Sequence, residues 1–154
     1  MGVKRRQEIG DLTEFALEVA SNFDFVKASD EDCRSIFGKD EVPEVYAQKL
    51  LNGKTRASLI TLGSKGVLLG TRRQGCIAIP ALKGNPIDAT GGGDTFMGGF
   101  LSEYLRCEDV LQAAVFGSAT ALCVIEKTGG VSPERMPTEE QAKARIPEGF
   151  KDNL

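Results

Sequence analysis

Apolar residues in this chain recur first at helical spacing and then in short strand-like runs. Leu12, Phe15, Ala16, Val19 and Ala20 share one helical face and predict a helix over residues 11–21. Residues 23–28 form a brief apolar run, expected as a buried strand. A helix is expected over 30–37, capped by Ser29 and ended by Gly38. Another is expected over 42–51, closed by Asn52 and Gly53. Strands are expected at 57–61, 66–70 and 75–80. Phe96, Phe100, Leu101, Tyr104 and Leu105 then mark a further helix, and 109–125 a long, alanine-rich, buried one. The last helix is predicted over 138–145, with Thr138 as N-cap and Glu140 and Gln141 near the capping-box position. Beyond Pro147 the tail is expected to fray. This order predicts an α/β fold in one domain, residues 1–154, with a mostly parallel sheet of four or five strands flanked by helices.

Composition narrows the chemistry. With 154 residues, 41% hydrophobic and 27% charged, the chain can build a real core. A net charge of −3 gives no broad basic surface for nucleic acid or membrane. No apolar run approaches transmembrane length, and the opening Met1-Gly2-Val3-Lys4-Arg5-Arg6 has no apolar signal core. Cys33, Cys76, Cys107 and Cys123 are too far apart in sequence for a Cys-x-x-Cys knuckle, and the chain has no histidine. Reduced thiols and a cytoplasmic location are the expectation. Without histidine, a general base has to be a carboxylate, lysine, tyrosine or thiol.

The densest chemical signal is Asp88-Ala89-Thr90-Gly91-Gly92-Gly93-Asp94-Thr95-Phe96, which opens the Phe96 helix. Glycines at a helix start present bare backbone N–H groups and the positive end of the helix dipole, an anion site suited to phosphate. Asp94 adds a carboxylate in the first turn. An anion cradle beside a proton acceptor is the minimal kit for phosphoryl transfer to a hydroxyl. A glycine-rich helix start with purely structural work is the alternative. A second turn, Thr61-Leu62-Gly63-Ser64-Lys65-Gly66, follows a predicted strand at the end where α/β sheets bind ligands. Thr61 offers a hydroxyl, Gly63 close backbone approach and Lys65 a point charge, or the six residues form an ordinary β-turn.

The glycine run resembles the C-terminal signature of the ribokinase-like (PfkB) carbohydrate kinases, Asp-Thr-x-Gly-Ala-Gly-Asp-x-Phe. Ala89 and Gly92 replace the usual Thr and Ala, and neither adds bulk. The family also carries Thr-Leu-Gly-x-x-Gly about thirty residues earlier, as Thr61–Gly66 does here. The resemblance implies ATP with magnesium across the 61–66 turn and the 91–93 loop, contacted by Thr61, Gly63, Lys65 and Gly66. It makes Gly91, Gly92 and Gly93 the anion hole and Asp94 the catalytic proton acceptor. Where the family has Asn-x-x-Glu, with the acid holding magnesium through water, this chain has Ser29 and Asp32. Ser29 is then nucleotide-binding and Asp32 the magnesium candidate, one methylene short, or both simply cap a helix. Ser118, Gly129 and Gly130 correspond to positions near the base, and Asp88 and Thr90 to a monovalent cation site, potassium in kind. A turn-forming role for Asp88 and a helix C-cap for the glycine pair are the plain alternatives.

The resemblance covers the C-terminal half of the family fold; the half with the sugar-binding residues and the β-lid has no counterpart in this sequence. It implies phosphorylation of a hydroxyl on a sugar or nucleoside, with a homo-oligomer or a missing N-terminal half as partner. A catalytically silent nucleotide-binding or regulatory fragment is the rival. A dinucleotide-binding domain is disfavoured because no Gly-x-Gly-x-x-Gly stands at the first strand–helix turn.

Overall fold

The first two strands explain how the sheet begins. β1 (Phe25–Ser29) and β2 (Ala57–Thr61) pair in parallel, with Phe25 opposite Ala57 and Ser29 opposite Thr61. Parallel neighbours need a long crossover, supplied by helices α2 (Asp30–Phe37) and α3 (Pro43–Leu50). The computed structural model describes residues 12–38, 41–129 and 131–151. β3 (Val67–Thr71) and β4 (Gly75–Ile79) complete a four-stranded sheet in the order β1-β2-β3-β4. Only residues 62–66 and 72–74 join β2 to β3 and β3 to β4. Connections so short make hairpins, so the parallel pairing lies at β1–β2 and the rest of the sheet is antiparallel.

The described residues divide into two compact units. One comprises those up to Leu62 together with Leu68–Ala78; the other comprises Gly63–Val67 together with Ile79 onward. The first unit holds most of the sheet, α2, α3 and a helix α1 over residues 12–20. Its core gathers Ala20, Cys33, Tyr46, Ala47, Leu50, Ile60 and Leu68. Burial is combined with satisfied polar groups: the Tyr46 hydroxyl donates to the Gly38 carbonyl at 2.6 Å, and Ser58 Oγ donates to the Ala47 carbonyl at 2.8 Å. The Thr55 hydroxyl donates to the Ala20 carbonyl at 2.9 Å and so ties the end of α1 to the approach of β2.

α1 forms where the spacing predicts a helix. On its apolar face, Leu12, Phe15 and Val19 are 45%, 63% and 41% exposed. Only Ala20 at its end is fully buried. Among the described residues nothing covers that stripe, so periodicity identified the helix without identifying what it packs on. The predicted residue Asp11 lies outside the described residues.

The second unit is built on α4 (Gly92–Cys107) and α5 (Val110–Ile125). Glu108, at φ 55°, turns the chain between them, and its amide donates to the Tyr104 carbonyl at 2.8 Å. Asp109 then caps α5 by accepting from the Gln112 amide at 2.8 Å. The helices approach closely where Gly99 faces Gly117: a Cβ on Gly99 would stand 3.1 Å from the Gly117 Cα. Phe96, Phe100 and Tyr104 stack in succession along α4 at 6.5 and 6.1 Å. α6 (Glu139–Lys143) starts in the expected capping box of Thr138 and Gln141. Within the tail expected to fray, a short helix α7 (Glu148–Lys151) forms, its turn closed by the Phe150 amide on the Pro147 carbonyl at 3.0 Å, and residues 152–154 lie outside the described residues. No helix among the described residues is long and apolar enough to cross a membrane.

Candidate active site

In the second unit the glycine run folds as the start of α4. Gly91 is the N-cap at φ 78° and ψ 1°, a left-handed conformation that glycine adopts without a Cβ penalty. No side chain caps this end. The Gly92 amide donates to Ala89 and the Thr95 amide to Gly91, at 3.0 and 2.9 Å. The amides of Gly93 and Asp94 have no acceptor among the described residues. Two open N–H groups at the positive end of a sixteen-residue helix are groups to which a negative charge is attracted. Asp94 is exposed in the same first turn, whereas Thr95 and Phe96 turn inward and anchor the loop. Thr95 helps by donating its hydroxyl to the Gly91 carbonyl at 2.8 Å.

Asp88 organises the approach to this loop. One carboxylate oxygen accepts the Thr90 amide and the other the Gly129 amide, each at 2.9 Å. Hydrogen bonds from Thr90 and from Gly129 hold its carboxyl down to about 2. A monovalent cation at Asp88 and Thr90 would therefore share these oxygens with two amides. Gly129 itself is exposed at φ 99°. Its predicted neighbour Gly130 lies outside the described residues. Ser118 turns its hydroxyl back onto its own helix, donating to the Ala114 carbonyl at 2.9 Å.

The Gly63–Lys65 segment of the same unit is a single 3-10 turn with Lys65 exposed. Gly66 closes it at φ 98°, its amide donating to the Gly63 carbonyl at 3.0 Å. A Cβ on Gly66 would overlap the Ile79 carbonyl, so this glycine is required by space as well as by conformation.

In the first unit, Ser29 and Thr61 end β1 and β2 side by side in register. The Thr61 hydroxyl makes a long 3.5 Å contact to the Ala28 carbonyl. Ser29 and Asp32 form a reciprocal capping box: Ser29 Oγ accepts the Asp32 amide at 3.0 Å, and Asp32 Oδ2 accepts the Ser29 amide at 3.1 Å. Those hydrogen bonds, the side chain of Ser29 first, lower the Asp32 carboxyl. Aspartate is long enough for this local closure, so the capping alternative left open by the sequence is realised. Among the described residues no three Asp, Glu, Cys or His side chains converge to hold a metal.

Two contributors were not foreseen. Val131 packs against the missing Cβ of Gly91. Arg135 reaches back to α5, donating to the Val124 carbonyl at 2.8 Å and also to the Lys127 carbonyl. Neither stands at a spacing that sequence patterns could flag.

Residues 8–138 match the pfkB family of carbohydrate kinases. The chain belongs to this family. Among curated PfkB relatives, the ribokinase of Lactococcus lactis is 31% identical over 137 residues, which cover 86% of this chain and 41% of that protein. Among solved structures, the ribokinase of Thermotoga maritima superposes with a TM-score of 0.74 at 25% identity, over 84% of this chain and 44% of that one. The nucleoside kinase of Methanocaldococcus jannaschii gives 0.71 at 29% identity, over 91% and 45%. The α/β, ribokinase-like class is thus shown, and this PfkB chain spans less than half the length of these relatives.

Proposed function

We propose that this chain supplies the phosphate-binding and proton-accepting part of a PfkB kinase that transfers a phosphoryl group from ATP to a hydroxyl of a sugar or nucleoside. The observation that carries the reading is the uncapped start of α4, where the Gly93 and Asp94 amides are open and the Asp94 carboxylate is exposed in the same turn. Bound there, ATP would supply the phosphoryl group. The Gly91–Gly93 backbone would hold phosphate oxygens and stabilise charge developing on them. Asp94 would take the proton of the acceptor hydroxyl, working chiefly by its position. Lys65 would offer a mobile positive charge to the phosphates. Magnesium on the phosphates, and potassium near Asp88 and Thr90, belong to the same proposal.

The chain's 41% coverage of the ribokinase and the exposed stripe of α1 favour a second reading for the isolated polypeptide. In it the 154 residues bind nucleotide weakly and transfer nothing until a partner covers that stripe and brings the acceptor. A coupled assay of ATP consumption over a panel of sugars and nucleosides, with light scattering on the same sample, separates the two. ATP-dependent phosphorylation by a monodisperse monomer supports the complete-enzyme reading and rejects the second. Weak ATP binding without turnover does the reverse. No ATP binding at all rejects both.

A further inference from the structure

Asp88 joins two loops. Its two carboxylate oxygens accept amides from two separate loops, Thr90 two residues on at the entrance to the glycine loop and Gly129 41 residues on, beyond α5. The far side of that second loop is fixed separately, by Arg135 on the Val124 carbonyl. Val131, within the same loop, fills the space left by the missing Cβ of Gly91. The two loops therefore meet at two points: a carboxylate between two amides, and a valine methyl against a glycine. Because Thr90 precedes the left-handed Gly91, rotation of the peptide before Gly91 changes where the open amides of Gly93 and Asp94 aim. From this geometry we propose that Asp88 is a positioning residue whose carboxylate clasps the 88–94 and 129–135 loops together and holds the phosphate-binding amides of α4 in register for ATP.

This role rests on the nucleotide reading of the same loop. It needs both oxygens, since each serves a different amide. Asparagine has nearly the same shape but only one acceptor oxygen, so it can satisfy Thr90 or Gly129 and places an NH2 group against the other N–H. Glutamate keeps two acceptors but displaces them by a methylene.

The test uses the full chain with Asp88→Asn and Asp88→Glu. Amide hydrogen exchange at Thr90 and Gly129 is followed by NMR without nucleotide, and binding of ATP with magnesium and of adenosine is titrated. Asp88→Asn is expected to speed exchange at one or both amides and to weaken ATP about tenfold, the effect of one charge-assisted hydrogen bond, with adenosine unchanged. Asp88→Glu should recover part of the protection and part of the ATP affinity. Equal weakening of ATP and adenosine would mean general destabilisation and overturn the positioning role. Unchanged exchange in both variants would overturn the clasp itself. If the parent chain shows Thr90 and Gly129 protection but binds no ATP, the nucleotide reading falls and the positioning role falls with it, while the clasp survives as a purely structural tie.

Discussion

Replacing Gly91 with alanine probes both the backbone shape and the packing of the anion loop. At φ 78° and ψ 1° an L side chain is strained by about 1 kcal/mol. The new Cβ also overlaps Val131 Cγ2. Val131 is 49% exposed, so it can rotate or shift, and relief should cost only about 1 kcal/mol more. If the loop relaxes to avoid the strain, ATP has to restore it, and the full ~2 kcal/mol appears as roughly thirtyfold weaker binding. Val131→Ala should remove the overlap and leave the backbone strain. The double variant Gly91→Ala/Val131→Ala should therefore lose only about fivefold, and the coupling between the two sites should be near 1 kcal/mol. Calorimetric titration of ATP with magnesium into the four proteins measures this cycle. Equal affinities for the single and double variants would refute the packing argument. Parent-like affinity in Gly91→Ala would refute the claim that the left-handed cap shapes the phosphate site.

Gly66→Ala should destabilise the chain by about 3 kcal/mol or more, because its Cβ would overlap the Ile79 carbonyl and stand 2.6 Å from the Ala81 amide nitrogen; urea unfolding with an unmoved midpoint would contradict this. In an active kinase containing this chain, Asp94→Asn should lower kcat on the order of a hundredfold or more while ATP affinity stays within a few-fold. Turnover close to the parent's would remove Asp94 from the reaction. Asp88, held at about 2 in the folded protein against an ordinary value near ~3.9, contributes stability that is complete above about pH 4 and is lost as pH falls toward 2. Carboxyl carbon NMR should show its titration midpoint well below that of an unfolded-chain aspartate, and an ordinary midpoint would count against the two-amide clasp.

The elements that the sequence defined well are those whose signal is local. Ser29 and Gly38 bracket α2 at its observed limits, and Asp109 and Thr138 cap α5 and α6 through side-chain contacts three residues away. The glycine-rich start of α4 was legible because glycine spacing and helix start coincide in one short run. Pairing was less so: the α/β pattern suggested a mostly parallel sheet, yet the brevity of the 62–66 and 72–74 connections confines parallel pairing to β1–β2. The burial of α1 was not legible at all, since an apolar stripe specifies a partner without saying whether this chain provides it. The contributions of Val131 and Arg135 arise from tertiary proximity alone. Asp32 shows a limit of another kind, because one carboxylate spacing serves equally for a capping box and for a metal contact, and only the fold shows the box formed.

In the proposed function the open amides at the start of α4 receive the phosphates of a nucleotide. Titrating isotope-labelled chain with ATP and magnesium, and following every backbone amide by NMR, tests it most directly. Shifts are expected to concentrate at Gly91–Asp94 and at the Gly63–Gly66 turn, larger for ATP than for adenosine and saturating in the millimolar range characteristic of weak binding. Saturable ATP binding that leaves the Gly93 and Asp94 amides unmoved would contradict it.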